Sequence, residues 1–155
     1  MKLLCHLAAA GLAALLGVAP LCAQPKRIGT FDKRSIVVGY YRSQLFGDIL
    51  KAKRAEMAAA KKANDTARVR ELEPWFGAQQ ELAHRQLAGE APIANILEAL
   101  APAFPEIEQK AQVTSIEADP PKGKDVQTVD VTDLLLDWLK ADESTRKIVR
   151  DLRNQ

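Results

Sequence analysis

Two long runs with helical apolar spacing, separated by a short polar break, constrain this chain more than any other feature. From Ile36 to about Lys62, Leu45, Ile49 and Ala52 share one stripe, and Phe46, Leu50 and Met57 share its neighbour. Lys51, Arg54 and Lys61 lie opposite. From Ala67 to Leu87, Val69, Leu72, Phe76 and Ala83 recur at spacings of three, four and seven, with Gln79 in the intervening place. Asn64-Asp65-Thr66 offers two N-cap candidates for the second helix. So short a connection makes the two helices antiparallel neighbours, a helical hairpin. Both stripes are narrow, as in a coiled coil, not wide as on a globular helix. Pro74 stands inside the second run and must kink it or start a new helix, because it lacks an N–H and crowds the preceding turn.

The flanking segments are shorter. Ile28-Gly29-Thr30-Phe31 reads as a strand, and Asp32 to Ser35 as a junction that supplies helix caps. Gly89-Glu90-Ala91-Pro92 breaks the chain, with Pro92 placed as a first helical residue. Ile93, Ile96, Leu97 and Leu100 then form an apolar face, Pro102 and Pro105 bend the chain, and Glu106 to Ala111 resumes as helix. The helical hairpin region so extends over about 36–111. Val113-Thr114-Ser115-Ile116 and Val126 to Val131 are β-type runs, separated by turn chemistry at Asp119 to Lys124. Thr132 reads as the cap of a helix from Asp133 to Leu139, in which Trp138 is a core residue. Asp142 reads as the cap of a last helix that buries Ile148, Val149 and Leu152. The expected fold is mainly α with a small β-sheet (α+β): strand, long helical hairpin, two short strands, C-terminal helices. Three short strands do not make a self-sufficient sheet.

The N-terminus reads as an export signal. Met1-Lys2 is followed by an uncharged run, Leu3 to Ala19, then Pro20 and the small residue Ala23. This matches the charged, apolar and cleavage regions of a secretory signal peptide over residues 1–23. Both cysteines, Cys5 and Cys22, lie inside it, so the remaining chain, residues 24–155, is cysteine-free and folds without disulfides. About 130 residues remain, enough for one domain. Lys2 is the only charge lost, taking the net charge from +2 to +1. Such a balance argues against nucleic acid as a partner, which requires a clustered basic excess. Cysteine-free export points to the periplasm.

The order of elements resembles the OmpH/Skp-like periplasmic chaperones. Strand Ile28–Phe31 leads into a long Ala/Lys-rich helix, a hairpin returns, Val113–Ile116 follows, and Val129-Asp130-Val131-Thr132-Asp133 opens a terminal helix. The similarity in order covers nearly all of residues 26–140. It implies a single domain over 24–155, assembled as a homotrimer whose short strands meet in a central body. It also implies helical arms that enclose unfolded outer-membrane proteins. Ile28, Phe31, Val113 and Ile116 are then the oligomer interface. The chain departs from the family in its shorter arms, Tyr41 to Lys62 spanning roughly 33 Å, in its near-neutral charge, and in Pro74, Pro102 and Pro105. These departures favour, as an alternative, a structural or scaffold protein of the same fold that holds no client. An unrecognised exported enzyme is the more distant alternative.

Catalytic and metal chemistry finds no footing in the sequence. His84 is the one histidine after residue 23, with only Glu81 and Glu90 near it, whereas zinc requires three or four convergent ligands. Asp130 and Asp133 are accounted for as residues at a helix start. Ser35, Ser43, Ser115 and Ser144 have no histidine–carboxylate partner in the pattern. No cofactor, metal or catalytic residue is therefore expected. The candidate client or partner patch is Trp75-Phe76, beside Pro74, together with Lys61, Lys62 and Arg68 at the hairpin tip. Packing against the Met57 helix is the competing account of the aromatic pair. The basic tip suits an acidic client, another envelope protein or an anionic membrane surface.

Overall fold

The computed structural model describes residues 25–154, apart from 121 and 124. The proposed signal peptide lies outside the described residues. The order of elements is β1 (Lys26–Thr30), α1 (Lys33–Tyr41), α2 (Gln44–Lys62), α3 (Thr66–Leu87), α4 (Ala94–Leu100), a 3₁₀ turn at Ala101–Ala103, α5 (Phe104–Ala111), β2 (Ser115–Ile116), β3 (Val126–Asp130), α6 (Thr132–Trp138) and α7 (Glu143–Arg153). The mainly helical α+β class expected from the sequence is the one observed.

The sheet has the order β2-β1-β3, and both outer strands run parallel to β1. Parallel neighbours need a crossover. Between β1 and β2 this crossover is the whole helical region α1–α5. Gly29, at the centre of β1, explains how so small a sheet is sealed. A Cβ there would sit 3.1 Å from Ile116 Cγ1 and 3.3 Å from both Val113 Cγ2 and Val131 Cγ1. The missing side chain lets three aliphatic groups close over the strand.

Helix α1 starts three residues earlier than the periodicity predicts, because Asp32 caps it by accepting from Ser35 N at 2.7 Å. The expected single helix over 36–62 is in fact two. Ser43 takes an extended conformation (φ −75°, ψ 159°), its hydroxyl donating to Tyr40 O at 2.6 Å while accepting from Phe46 N. It thus serves both the end of α1 and the start of α2. Tyr40, Tyr41 and Phe46 meet at this corner with ring centroids 4.7–5.4 Å apart. The hairpin proper is consequently α2–α3, residues 44–87, not the whole of 36–111. Asn64 makes its turn in the left-handed region (φ 56°), which asparagine tolerates, and Asp65 caps α3. Pro74 neither ends α3 nor starts a new helix: α3 continues through it from Thr66 to Leu87. Pro102 and Pro105 stand in the first turns of the 3₁₀ segment and of α5, where a missing N–H costs no bond.

The main core gathers Phe31, Ile36, Val37 and Tyr40 with Ile96, Leu100, Ile107, Leu135, Leu136 and Val149. Helix α1 runs through its middle, touching α2, α3, α6 and α7. A Cβ on Gly39 would fall 2.5 Å from Leu136 Cδ2 and 3.3 Å from Leu139 Cδ1, so a larger residue there would force the Leu136 side chain to move. Thr132, expected as the cap of α6, is the first residue of that helix and is fully buried. Its Oγ1 accepts from Asp32 N at 2.9 Å and so ties the start of α6 to the start of α1, while Asp130 accepts from Thr132 N at 2.8 Å. In α7 Val149 is buried as expected, but Ile148 is exposed and Thr145 takes an inward place.

Candidate functional site

The hairpin is the part of the molecule with surface left over. At helical rise α2 and α3 are roughly 28 and 33 Å long, and they contact each other and α1, with only slight contact elsewhere. Along the whole arm α2 buries Phe46 and Ala60, and α3 buries Leu72 and Gln86. Gln86 is the clamp at the arm's root. Its side chain accepts from Tyr41 OH at 2.9 Å and donates to Pro92 O at 2.7 Å and Asn95 Oδ1 at 2.6 Å. Buried and fully bonded, it fixes the angle at which α3 leaves the body.

Of the two apolar stripes on α2, the one carrying Phe46, Leu50 and Met57 turns inward. The other turns out: Leu45 is 37% and Ile49 38% exposed, and Ala52 is exposed one turn further on. Among the described residues only one other large apolar side chain, Ile148, is as open. Leu45 continues into a groove of about 270 Å³ shared with Asp48, Trp138, Leu139 and Lys140. Trp138 is half-buried, its indole packed against the core on one side and lining this groove on the other. An apolar strip therefore runs from the end of α6 onto the arm.

The residues singled out from sequence are not brought together as one patch. Trp75 and Phe76 are half-buried on α3, edge to face with centroids 5.2 Å apart, outside the main core. Lys61 and Lys62 are exposed in the last turn of α2, where positive charge also suits the helix C-terminus. Arg68 is not a free cation. It is held by Glu56 across the hairpin and by Glu71 on its own helix. The bonds to Glu71 and Glu56 push its pKa further up, and those from Arg68 and Lys53 hold the Glu56 carboxyl below its usual value. Of the expected basic tip Lys61 and Lys62 stay unpaired among the described residues, and Lys61, with Arg70 of α3, borders a shallow groove of about 390 Å³. Ile28, Phe31 and Val113 are buried within the single chain and Ile116 packs against its core. The strand residues expected at a subunit interface thus pack within their own chain, Ile116 only in part.

A third concavity, of about 610 Å³, opens where α1, α3 and α4 meet the loop after β2. Ile93 and Leu97 line it, and a Lys33–Asp119 ion pair of 2.6 Å spans it. The sequence signals for this cleft were scattered over four segments. Among the described residues no cluster of three or more His, Cys, Asp or Glu side chains is placed to hold a metal, and no helix is long and apolar enough to cross a membrane. Compared with known proteins, the chain matches no family model, no curated protein and no solved structure. The likeness to OmpH/Skp-like chaperones therefore rests on the order of elements alone.

Proposed function

We propose that this chain is a non-enzymatic exported protein that binds non-native outer-membrane polypeptides in the periplasm, as OmpH/Skp-like chaperones do. The observation that supports this reading is the outward row Leu45–Ile49–Ala52 on a two-helix arm. A row left more than a third open on its own chain forgoes about 25 cal/mol per Å² of favourable burial over that open area, and a partner's apolar surface would recover it. The groove beside Trp138 extends that row, and the flexible chain of an unfolded client can follow it where a rigid surface cannot. No enzymatic step is needed for such a role.

The test is suppression of aggregation of a urea-unfolded porin on dilution, using residues 24–155, which contain every described element. A few-fold molar excess should keep the porin soluble, and Leu45→Ser with Ile49→Ser should abolish most of the effect. No suppression by the unaltered chain would overturn the reading. The scaffold alternative draws on one observation, the neutralisation of Arg68 by Glu56 and Glu71, which removes a cation from the tip. It predicts a partner retained on a folded envelope protein and none on unfolded porin.

A further inference from the structure

The register of the sheet leaves one edge chemically open. Lys26 N donates to Asp125 O at 2.9 Å and Val131 N donates to Thr30 O at 2.8 Å. In a parallel ladder this phase makes Gln127 and Val129 the residues of β3 bonded to β1, and turns the N–H and C=O groups of Val126, Thr128 and Asp130 away from the sheet. Val126 N is used by Gly123 O at 3.3 Å. The backbone groups of Thr128 and Asp130 have no hydrogen-bond partner among the described residues, and both residues are exposed.

The opposite edge is treated differently. β2 is cut to two residues, and its Ser115 hydroxyl is engaged by Glu117. Short strands, lysines, prolines and bulges are the usual means of blunting an edge. The middle of β3, Gln127-Thr128-Val129, carries none of them, and its register with β1 is unbroken from Val126 to Asp130. The carboxylate of Asp130 does not guard the edge either, since Thr132 N and Arg153 hold it.

We infer that the open edge of β3 takes up an extended segment of non-native polypeptide as a fourth strand. This deepens the client-binding reading above and rests on it. The size of the edge selects the occupant. Five residues span about 17 Å, and with a sheet thickness near 10 Å they offer under about 200 Å². A stable contact between folded proteins needs about 800 Å² per partner. A second folded copy is therefore not held by this edge alone. An unfolded chain is held by edge and arm together, because one flexible molecule engages both at once and the second contact is made at high effective concentration. Segments of outer-membrane strands, about ten residues of alternating apolar and polar character, fit an edge that supplies main-chain bonds.

The test exploits the phase of the ladder. Thr128→Pro removes an outward N–H and leaves the bonds of Gln127 and Val129 to β1 in place, whereas Thr128→Val keeps the donor. Binding of fluorescently labelled, urea-unfolded porin should weaken about tenfold in the proline variant and stay unchanged in the valine variant. Should the proline variant not fold, hydrogen exchange on the unaltered chain carries the test. The amides of Thr128 and Asp130 should exchange at least tenfold more slowly once porin is bound. Porin bound with those amides unprotected overturns the added strand and leaves the client-binding role standing. Protection that grows with protein concentration in the absence of porin assigns the edge to a second copy and overturns the inference. Failure of the unaltered chain to bind porin overturns both.

Discussion

The body around α1 and the α2–α3 arm are built by different rules. In the body, Ile36, Leu100, Leu135 and Thr132 are fully buried, and α1 touches α2, α3, α6 and α7. Along the arm only Ala60 and Leu72 are buried between the corner at Phe46 and the clamp at Gln86. Cohesion there comes from alanine- and lysine-rich helix, the caps Ser43 and Asp65, and half-buried pairs such as Lys53–Glu56. Packing fixes the body uniquely. The arm is held mainly by local chemistry, and this leaves its outer face free to meet something else.

The contrast is sharpest under truncation. Leu135→Ala should cost about 2–5 kcal/mol, because the surrounding body cannot collapse into the void. Leu72→Ala in the arm should cost less, since helix α2 can shift towards α3. Urea melts of the two variants side by side measure the difference, and equal losses would erase the distinction between the regions. Next in size is Gly39→Val. It inserts methyl groups where a Cβ alone meets Leu136 at 2.5 Å, and overpacking of this kind costs about 1–3 kcal/mol. The urea midpoint should fall while binding by the arm persists under folding conditions.

Changes on the outer face should run the other way. Leu45→Ser with Ile49→Ser changes side chains on the open face of α2, each more than a third exposed, so stability should move far less than in Leu135→Ala. Porin holding should nevertheless collapse. Loss of stability without loss of holding would place these residues in the fold and not in function.

Local chemistry was legible in the sequence wherever one side chain settles the matter. Asp32, Asp65 and Asp142 cap helices as their type and position indicate. The hairpin turn at Asn64 falls where polarity interrupts the periodicity. The break at Ser43 was hidden, because Tyr40, Tyr41 and Phe46 keep an apolar pattern straight across it. Which stripe of α2 faces inward was undetermined, both being equally apolar. The placement of β1 between two parallel partners depends on pairings some 85 to 100 residues apart, which no local window contains. The same distance hid the bond from Asp32 to Thr132, and made Thr132 look like a cap. Of the expected tip residues, Arg68 has its partner Glu56 across the turn, a pairing that the spacing within one helix does not reveal.

The smallest effect expected is a pH dependence, and it tests how the two regions are closed off. Asp142 caps α7, and its carboxyl is held below the usual value by the hydroxyl and N–H of Thr145. For Asp130, burial disfavours the charge, but bonds from Thr132 and the guanidinium of Arg153 outweigh it and lower the pKa. A carboxyl with a lower pKa in the fold than in the unfolded chain contributes stability above the unfolded value, 3.8 for these groups. That contribution is lost as pH falls through the folded value. Both groups belong to the body, at the starts of α6 and α7. Near-neutral conditions should thus leave the melting temperature flat, with a decline setting in below about pH 4. Asp142→Asn should lower the neutral plateau slightly and make the decline shallower. In the arm, Glu56 is also lowered, by Arg68 first and then Lys53, but it is solvent-screened and should show in local amide exchange, not in global melting. An acid transition unchanged by Asp142→Asn but abolished by Glu56→Gln would mean that the arm, not the body, governs cooperative unfolding.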